Sequence, residues 1–197
     1  MNEDRKVLLF DIGGVLTVNH TVDQLASMMG GVTDLNDLKL VWLGSPAVRR
    51  FETGKYTPEQ FSEAIIAELS LNIKVDGFLK SFRNWSNDID ERASKLLAYL
   101  RKHYIVCCLS NSNELHWNEE KVSHFHYAFF SHMIGCAKPD IEAFRHVLRR
   151  LNVRPNKICF FDDSRKNVES AKTLGIDAHE VNGLVELTEK LRVLEIT

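Results

Sequence analysis

With 197 residues, 44% hydrophobic and 26% charged, and a formal net charge of −2, the chain has an ordinary globular composition. It is long enough for one well-cored domain, or one domain carrying a large insertion. The charge balance leaves no electrostatic footprint for nucleic acid or an anionic membrane, so neither is expected as a partner. No apolar run approaches the roughly 20 residues a membrane-spanning helix needs, and the polar MNEDRK start leads straight into a strand pattern rather than a secretory leader. A cytoplasmic protein is expected.

The first strand pattern is VLLF (7–10), which runs into Asp11 and then a turn containing Gly13 and Gly14. From residue 18 to 88 the pattern changes. TVDQLASMM, LNDLKLVWL, AVRRFE, PEQFSEAIIAEL and VDGFLKSFRNW all read as helices, with no strand between them. GG (30–31), GSP (44–46) and TGKYTP (53–58) are the turn signals that separate them. Beyond residue 88, strands and helices alternate. ERASKLLAYLRKHY (91–104) and DIEAFRHVLRRLNV (140–153) carry one-faced apolar stripes, and SRKNVESAKTLG (164–175) has an N-cap signal in Ser164 and a stop at Gly175. The intervening strand patterns are IVCCL (105–109), the weaker YAFF (127–130) and ICFF (158–161).

Continuous rather than alternating hydrophobicity marks strands buried on both faces, as in a parallel sheet covered by helices. The expected fold is therefore α/β: a Rossmann-like three-layer core with a mainly parallel sheet, plus an all-helical cap inserted after the first strand. The expected division is 1–17 and 89–197 for the core and 18–88 for the cap. Cys107, Cys108 and Cys159 lie inside apolar runs and read as buried reduced thiols, and Cys136 as the one exposed thiol. Their spacing fits neither a disulfide framework nor paired zinc ligands.

Each strong strand pattern ends in a reactive polar group: Asp11, then Ser110, then Asp162 followed by Asp163. Ligands of open parallel sheets bind outside the carboxyl ends of the strands, so neighbouring strands would bring these groups to one crevice. Adjacent like charges such as Asp162 and Asp163 are costly unless protonated or bridged by a cation. With Asp11 they make an oxygen-rich setting that suits Mg²⁺, and Lys138 in GCAKPD would balance an anion bound beside them. Carboxylates, a divalent cation, a lysine and a hydroxyl together form a phosphate-handling set.

The ordered set FDIGGVL, CLSNSN, GCAKPD and FFDDSRKN resembles the four motifs of the haloacid dehalogenase-like hydrolases, in the phosphatase branch with a helical cap between the first two motifs. The stretch RRFETGKYTPEQF is similar to branch members that include sugar-phosphate phosphatases and the phosphatase domain of soluble epoxide hydrolases. The resemblance implies a Mg²⁺-dependent phosphomonoester hydrolase acting on a small phosphorylated metabolite, sugar phosphates among the candidates, through an aspartyl-phosphate. Asp11 matches the nucleophile and a metal ligand, and the backbone carbonyl of Gly13 a second ligand. Ser110 and Asn111 match donors to the phosphoryl oxygens. Lys138 matches the cation that neutralises nucleophile and phosphate, and Asp162 and Asp163 the metal-binding acids.

The departure is at Gly13. Phosphatases resembling this chain usually carry a second aspartate there, which protonates the leaving alcohol and then activates water. Such help is typically worth ~10²–10⁴ in rate, and glycine supplies none of it. Another group substitutes, the substrate has a good leaving group such as an anomeric sugar phosphate, or hydrolysis is slow. The same glycine keeps two alternatives open: a 2-haloacid dehalogenase, which needs neither that acid nor a metal, and a catalytically impaired binding or regulatory protein of this fold. His20 and Asp23 lie beyond the first motif and read as solvent-facing rather than as substitute acids. His124 and His126 read as structural histidines rather than metal ligands. Trp42 reads as packing, and Arg49 and Arg50 as a solvated face. With Glu52, these three stay outside the catalytic set.

Overall fold

The computed structural model describes residues 6–17, 21–29, 34–85 and 88–197. Its frame is a five-stranded parallel sheet in the order β3-β2-β1-β4-β5. The strands are β1 (Val7–Phe10), β2 (Ile105–Ser110), β3 (Tyr127–Phe130), β4 (Ile158–Asp162) and β5 (Asp177–Glu180). β1 is central and pairs in parallel with both β2 and β4, Phe10 lying opposite Cys108 on one side and Phe161 on the other. The order runs outward from β1 through β2 and β3, then resumes on its other side with β4. Such a reversal opens a crevice at the strands' carboxyl ends.

Strand residues alternate between two apolar layers, which is why these runs had to be apolar throughout. On one face Leu8, Phe10, Val106, Cys108 and Phe161 are buried with residues of α6 (Glu91–Leu100) and α11 (Gly183–Val193). On the other, Val7, Leu9, Cys107, Ile158 and Phe160 are buried with α9 (Ile141–Leu151) and α10 (Arg165–Thr173). The α/β three-layer core is thus the one expected. β5 was not expected: DAHE is an edge strand, exposed at both ends, and carries no apolar run to announce it.

Between β1 and β2 the described residues contain only helices: α1 (Thr21–Met28), α2 (Leu35–Gly44), α3 (Pro46–Glu52), α4 (Pro58–Glu68), α5 (Val75–Phe82) with a 3₁₀ turn (Arg83–Trp85), and then α6. Local chemistry sets the starts of two. Ser45 caps α3 by accepting from the Val48 N–H, and Thr57 and Gln60 form a reciprocal capping box on α4, each helix having proline in its first turn. These helices bury their own aromatic cluster, in which Phe51 stacks on Phe61 with centroids 4.4 Å apart and Trp42, Phe78, Phe82 and Trp85 surround the pair. Trp42 is indeed packing. The GG turn (30–31) and His20 lie outside the described residues.

Three further elements complete the described residues: α7 (Glu119–Ser123), the short α8 (Ser131–Ile134) after β3, and a 3₁₀ turn (Pro155–Lys157) before β4. Ser164 stands at the N-cap of α10 but its hydroxyl makes no capping bond. Instead its backbone N–H donates to Asp162 Oδ1 at 2.8 Å, so the residue ties the strand end to the helix, whose Asn167 and Val168 N–H groups its carbonyl accepts. Cys107, Cys108 and Cys159 are buried, as expected; Cys136 is half-buried rather than exposed. Among the described residues no helix is long and apolar enough to cross a membrane.

Candidate active site

Asp11 follows β1 at the sheet's carboxyl edge, tied to β4 by its N–H, which donates to the Phe161 carbonyl at 2.8 Å. Asp162 ends β4 and is fully buried. Between them lies the ammonium of Lys138, 2.8 Å from Asp11 Oδ1 and 2.6 Å from Asp162 Oδ2. The second oxygen of Asp162 accepts from the Ser164 N–H and from Asn167 Nδ2 at 2.9 Å, so that oxygen is fully engaged and the carboxylate is fixed. Asp11 Oδ1 also accepts from the Ile12 N–H at 2.8 Å, while its Oδ2 makes no hydrogen bond among the described residues. That leaves one free carboxylate oxygen on a rigidly held side chain.

Asp163 completes the cluster: one oxygen each from Asp11, Asp162 and Asp163 lie within 4.8 Å of one another. The turn after β1 is shaped to admit it. Gly14 has φ +77°, and a Cβ there would lie 2.5 Å from Asp163 Oδ2, so glycine is required both by conformation and by space. Three carboxylates face one ammonium. Burial pushes the Asp11 carboxyl well above its ordinary range; Lys138 pulls it down, and Asp162 and Asp163 raise it further. Asp163 is raised likewise, by burial and by Asp162, against the pull of Lys138 and Lys39. Burial works against the charge on Lys138, but Asp11 and Asp162 outweigh it and hold the ammonium above the usual lysine range. A hard dication would relieve the surplus negative charge, and an all-oxygen donor set suits one.

Lys138 is positioned through its backbone. Its N–H donates to Asn111 Oδ1 and its carbonyl accepts from Asn111 Nδ2, both at 2.9 Å. Asn111, just past β2, therefore clamps the loop that carries the lysine. The next residue is held too: the Ser112 N–H donates to the buried Ser131 Oγ at 2.9 Å, and that hydroxyl donates back to the Ser112 carbonyl at 3.0 Å. Ser110, which ends β2, is buried, and its hydroxyl meets the Asn111 carbonyl at 3.5 Å. Gly13 forms an isolated bridge with Thr17 that closes the turn after Asp11.

Asp11, Lys138, Asp162 and Asp163 therefore come together directly, with Asn111 acting through the lysine loop. Asn167 was not singled out, although it closes the FFDDSRKN motif at the first turn of α10. The larger omission is Arg49. Far from lying on a solvated face, it donates to the carbonyls of Ala137 (3.0 Å) and Lys138 (3.1 Å) and pairs with Asp140. Asp140, at the N-cap of α9, makes no capping bond and turns to this arginine instead. Arg50 does stay exposed, beside Tyr56. Asp23 is exposed on α1. His124 lies 3.1 Å from the Ser94 hydroxyl, and His126 Nδ1 accepts from the Val106 N–H.

A cavity of about 490 Å³ opens beside Asp163, between the turn at Gly14–Thr17, α2 residues Asn36 and Lys39, and the start of α11. Its lining is mainly apolar, with Lys39, Asp90, Arg92 and Asp163 as charged members.

A carboxylate–lysine–carboxylate cluster across the two central strand ends of a parallel sheet is a site for an oxygen-bound cation and the anion it neutralises. A family model for haloacid dehalogenase-like hydrolases matches residues 5–175, and the chain belongs to that family. It is 27% identical to the sesquiterpene phosphatase astK of Aspergillus oryzae, over 87% of each chain. To the D-ribitol-5-phosphate phosphatase of Bacteroides thetaiotaomicron it is 22% identical, over 96% of this chain and 98% of that one. Its fold superposes with a TM-score of 0.69 on a HAD family enzyme from B. thetaiotaomicron solved as a magnesium complex, at 25% identity, covering 90% and 93% of the two chains.

Proposed function

We propose that the protein is a Mg²⁺-dependent phosphomonoesterase that hydrolyses a small phosphorylated metabolite through an aspartyl-phosphate on Asp11. The observation that carries this reading is the Lys138 ammonium held between Asp11 and Asp162, with Asp163 completing a cluster whose net charge calls for a dication. Two relatives named as phosphatases and a neighbour solved with magnesium support it. Asp11, Asp162, Asp163 and the Gly13 carbonyl would hold the metal, which when bound would offset phosphate charge beside the nucleophile.

In this reading the unpaired Oδ2 of Asp11 attacks phosphorus, while Oδ1 stays bonded to Lys138 and the Ile12 N–H. Lys138 carries the compensating charge through attack and release, and Asn111 keeps it in place. Ser110 and Asn111 donate to phosphoryl oxygens as the group transfers. Catalysis of this kind is chiefly positioning and fixed charge. The helices between β1 and β2 act as a cap that excludes water and selects the substrate. Sugar phosphates fit the names of relatives such as a phosphorylated carbohydrates phosphatase of Thermotoga maritima. The buried, reduced thiols accord with a cytoplasmic setting.

A 2-haloacid dehalogenase would share Asp11 but has no use for the fully buried Asp162 and its neighbour Asp163. A metabolite phosphatase screen with Mg²⁺ and with EDTA, run beside Asp11→Asn, tests the proposal. Chelator-sensitive phosphate release lost in the variant supports it. Chelator-insensitive halide release favours the dehalogenase, and metal and phosphate-mimic binding without turnover favours the binding protein.

A further inference from the structure

We infer that Glu52, at the end of α3, is the general acid–base group that replaces the one missing at Gly13. This rests on the phosphomonoesterase reading. The insert is anchored to the lysine loop at one point of α3: Arg49 grips the Ala137 and Lys138 carbonyls and Asp140. Glu52 lies three residues along the same helix, hence on the same face. Just beyond it, Gly54 adopts φ +70°, and a Cβ there would come 2.6 Å from the His132 carbonyl, so the end of α3 is pressed directly against α8. Glu52 thus lies between two points, Arg49 and Gly54, at which α3 and the turn after it meet the core, on the side of the insert that faces the lysine loop.

The carboxyl is partly buried and makes no hydrogen bond or ion pair among the described residues, although Arg49 and Lys138 are both close enough to act on it electrostatically. A structural glutamate next to two cations would be expected to pair with one. Burial instead raises it from 4.5 to about 7, against the pull of Arg49 and then Lys138. No charge from α2, α4 or α8, which also pack on α3, contributes to that shift. A carboxyl half-protonated near neutrality can both give and take a proton there, which a general acid–base group must do.

The proton balance closes. As Asp11 attacks phosphorus, the bond to the leaving oxygen breaks and its electron pair accepts the Glu52 proton. Water then attacks the aspartyl-phosphate and yields its proton to the Glu52 carboxylate, the bond between phosphorus and Asp11 breaks, and phosphate departs with Glu52 protonated again. A group on the insert rather than on the β1 turn would also couple proton transfer to closure over the substrate.

The test compares wild type and Glu52→Gln, each shown by its melting curve to be folded at the assay temperature, on an alkyl phosphate and on p-nitrophenyl phosphate, whose leaving group needs no acid. The variant should lose ~10²–10⁴-fold in kcat on the alkyl ester with KM nearly unchanged. On the aryl ester it should release one nitrophenolate per site in a burst and then stall, because hydrolysis of the intermediate lacks its base. Wild-type kcat on the alkyl ester should fall as pH rises through about 7, a limb absent in the variant. Undiminished turnover of both esters by Glu52→Gln overturns the role of Glu52 alone. So does an equal loss on both without a burst, the signature of a structural residue. A wild type with no Asp11-dependent turnover of any phosphate ester overturns the reading of the site and Glu52 with it.

Discussion

Replacing Lys138 with methionine removes the one cation among three clustered carboxylates while keeping the volume of the side chain. The ammonium is about 1% exposed, sits 2.8 and 2.6 Å from its two partners, and Asp162 opposite it is fully buried. Removing one partner of such a pair strands the other charges and costs about 3–5 kcal/mol. For a chain of this length each kcal/mol lowers Tm by about 2–4 °C, so Lys138→Met should melt roughly 6–20 °C below wild type in EDTA. The deficit should also grow with pH. Without the lysine, the native carboxyls lie further above their unfolded values, so the native state binds more protons than the unfolded chain and stability falls as pH rises. Urea unfolding in EDTA at about pH 5 and about pH 8 reads both quantities. Mg²⁺ should recover at least as much stability in the variant as in wild type, because the three carboxyls then have no other cation to offset their charge, while phosphatase activity stays lost. A deficit under about 1 kcal/mol, or one unchanged across that pH range, would refute the view that Lys138 holds this cluster together.

Gly14→Ala should cost about 1–2 kcal/mol from its left-handed backbone alone, and should weaken Mg²⁺ binding by displacing Asp163, as read by calorimetric titration. Arg49→Ala removes two bonds to carbonyls and a half-exposed ion pair; a loss of about 1–2 kcal/mol is expected, with faster proteolysis between residues 53 and 58 and a KM that rises more than kcat falls. Glu52→Gln should stabilise the metal-free protein at alkaline pH. With the native carboxyl at about 7 against 4.5, the wild type's contribution is complete below about 4.5 and lost as pH rises through 7, so the variant should gain up to roughly 3 kcal/mol at about pH 8 and little at about pH 4, measured by urea unfolding. Ser131→Ala leaves the Ser112 N–H without its buried partner and should cost about 1–3 kcal/mol, read in the same assay.

Most of the frame was legible because its strands are buried on both faces and so are apolar without interruption. VLLF, IVCCL and ICFF became β1, β2 and β4, and the polar residues ending them became the cluster. β5 was invisible for the opposite reason: an edge strand reading DAHE needs apolar character only at Ala178, the one residue of the four that is fully buried. Asp11, Lys138, Asp162 and Asp163 were legible as residue types at strand ends or in a loop of suitable chemistry. What pattern alone did not yield was the traffic between helical insert and core. Arg49 and Arg50 look alike in AVRRFE, yet one grips the Ala137–Lys138 carbonyls and its neighbour stays exposed beside Tyr56. Glu52, three residues on, stayed outside the catalytic set on sequence, and only the fold shows it partly buried near Arg49 and Lys138. Contacts between distant segments leave no trace in helical period, so the residues that bring the insert to the site could be read only from the structure.

The most direct test of the central claim is to trap the phosphorylated enzyme. Wild type mixed with Mg²⁺ and a turned-over phosphate ester, quenched rapidly and mapped by peptide mass spectrometry, should carry a phosphoryl group on Asp11 that is absent from Asp11→Asn and from EDTA-treated enzyme. Turnover with no such adduct, or turnover retained by Asp11→Asn, would contradict it.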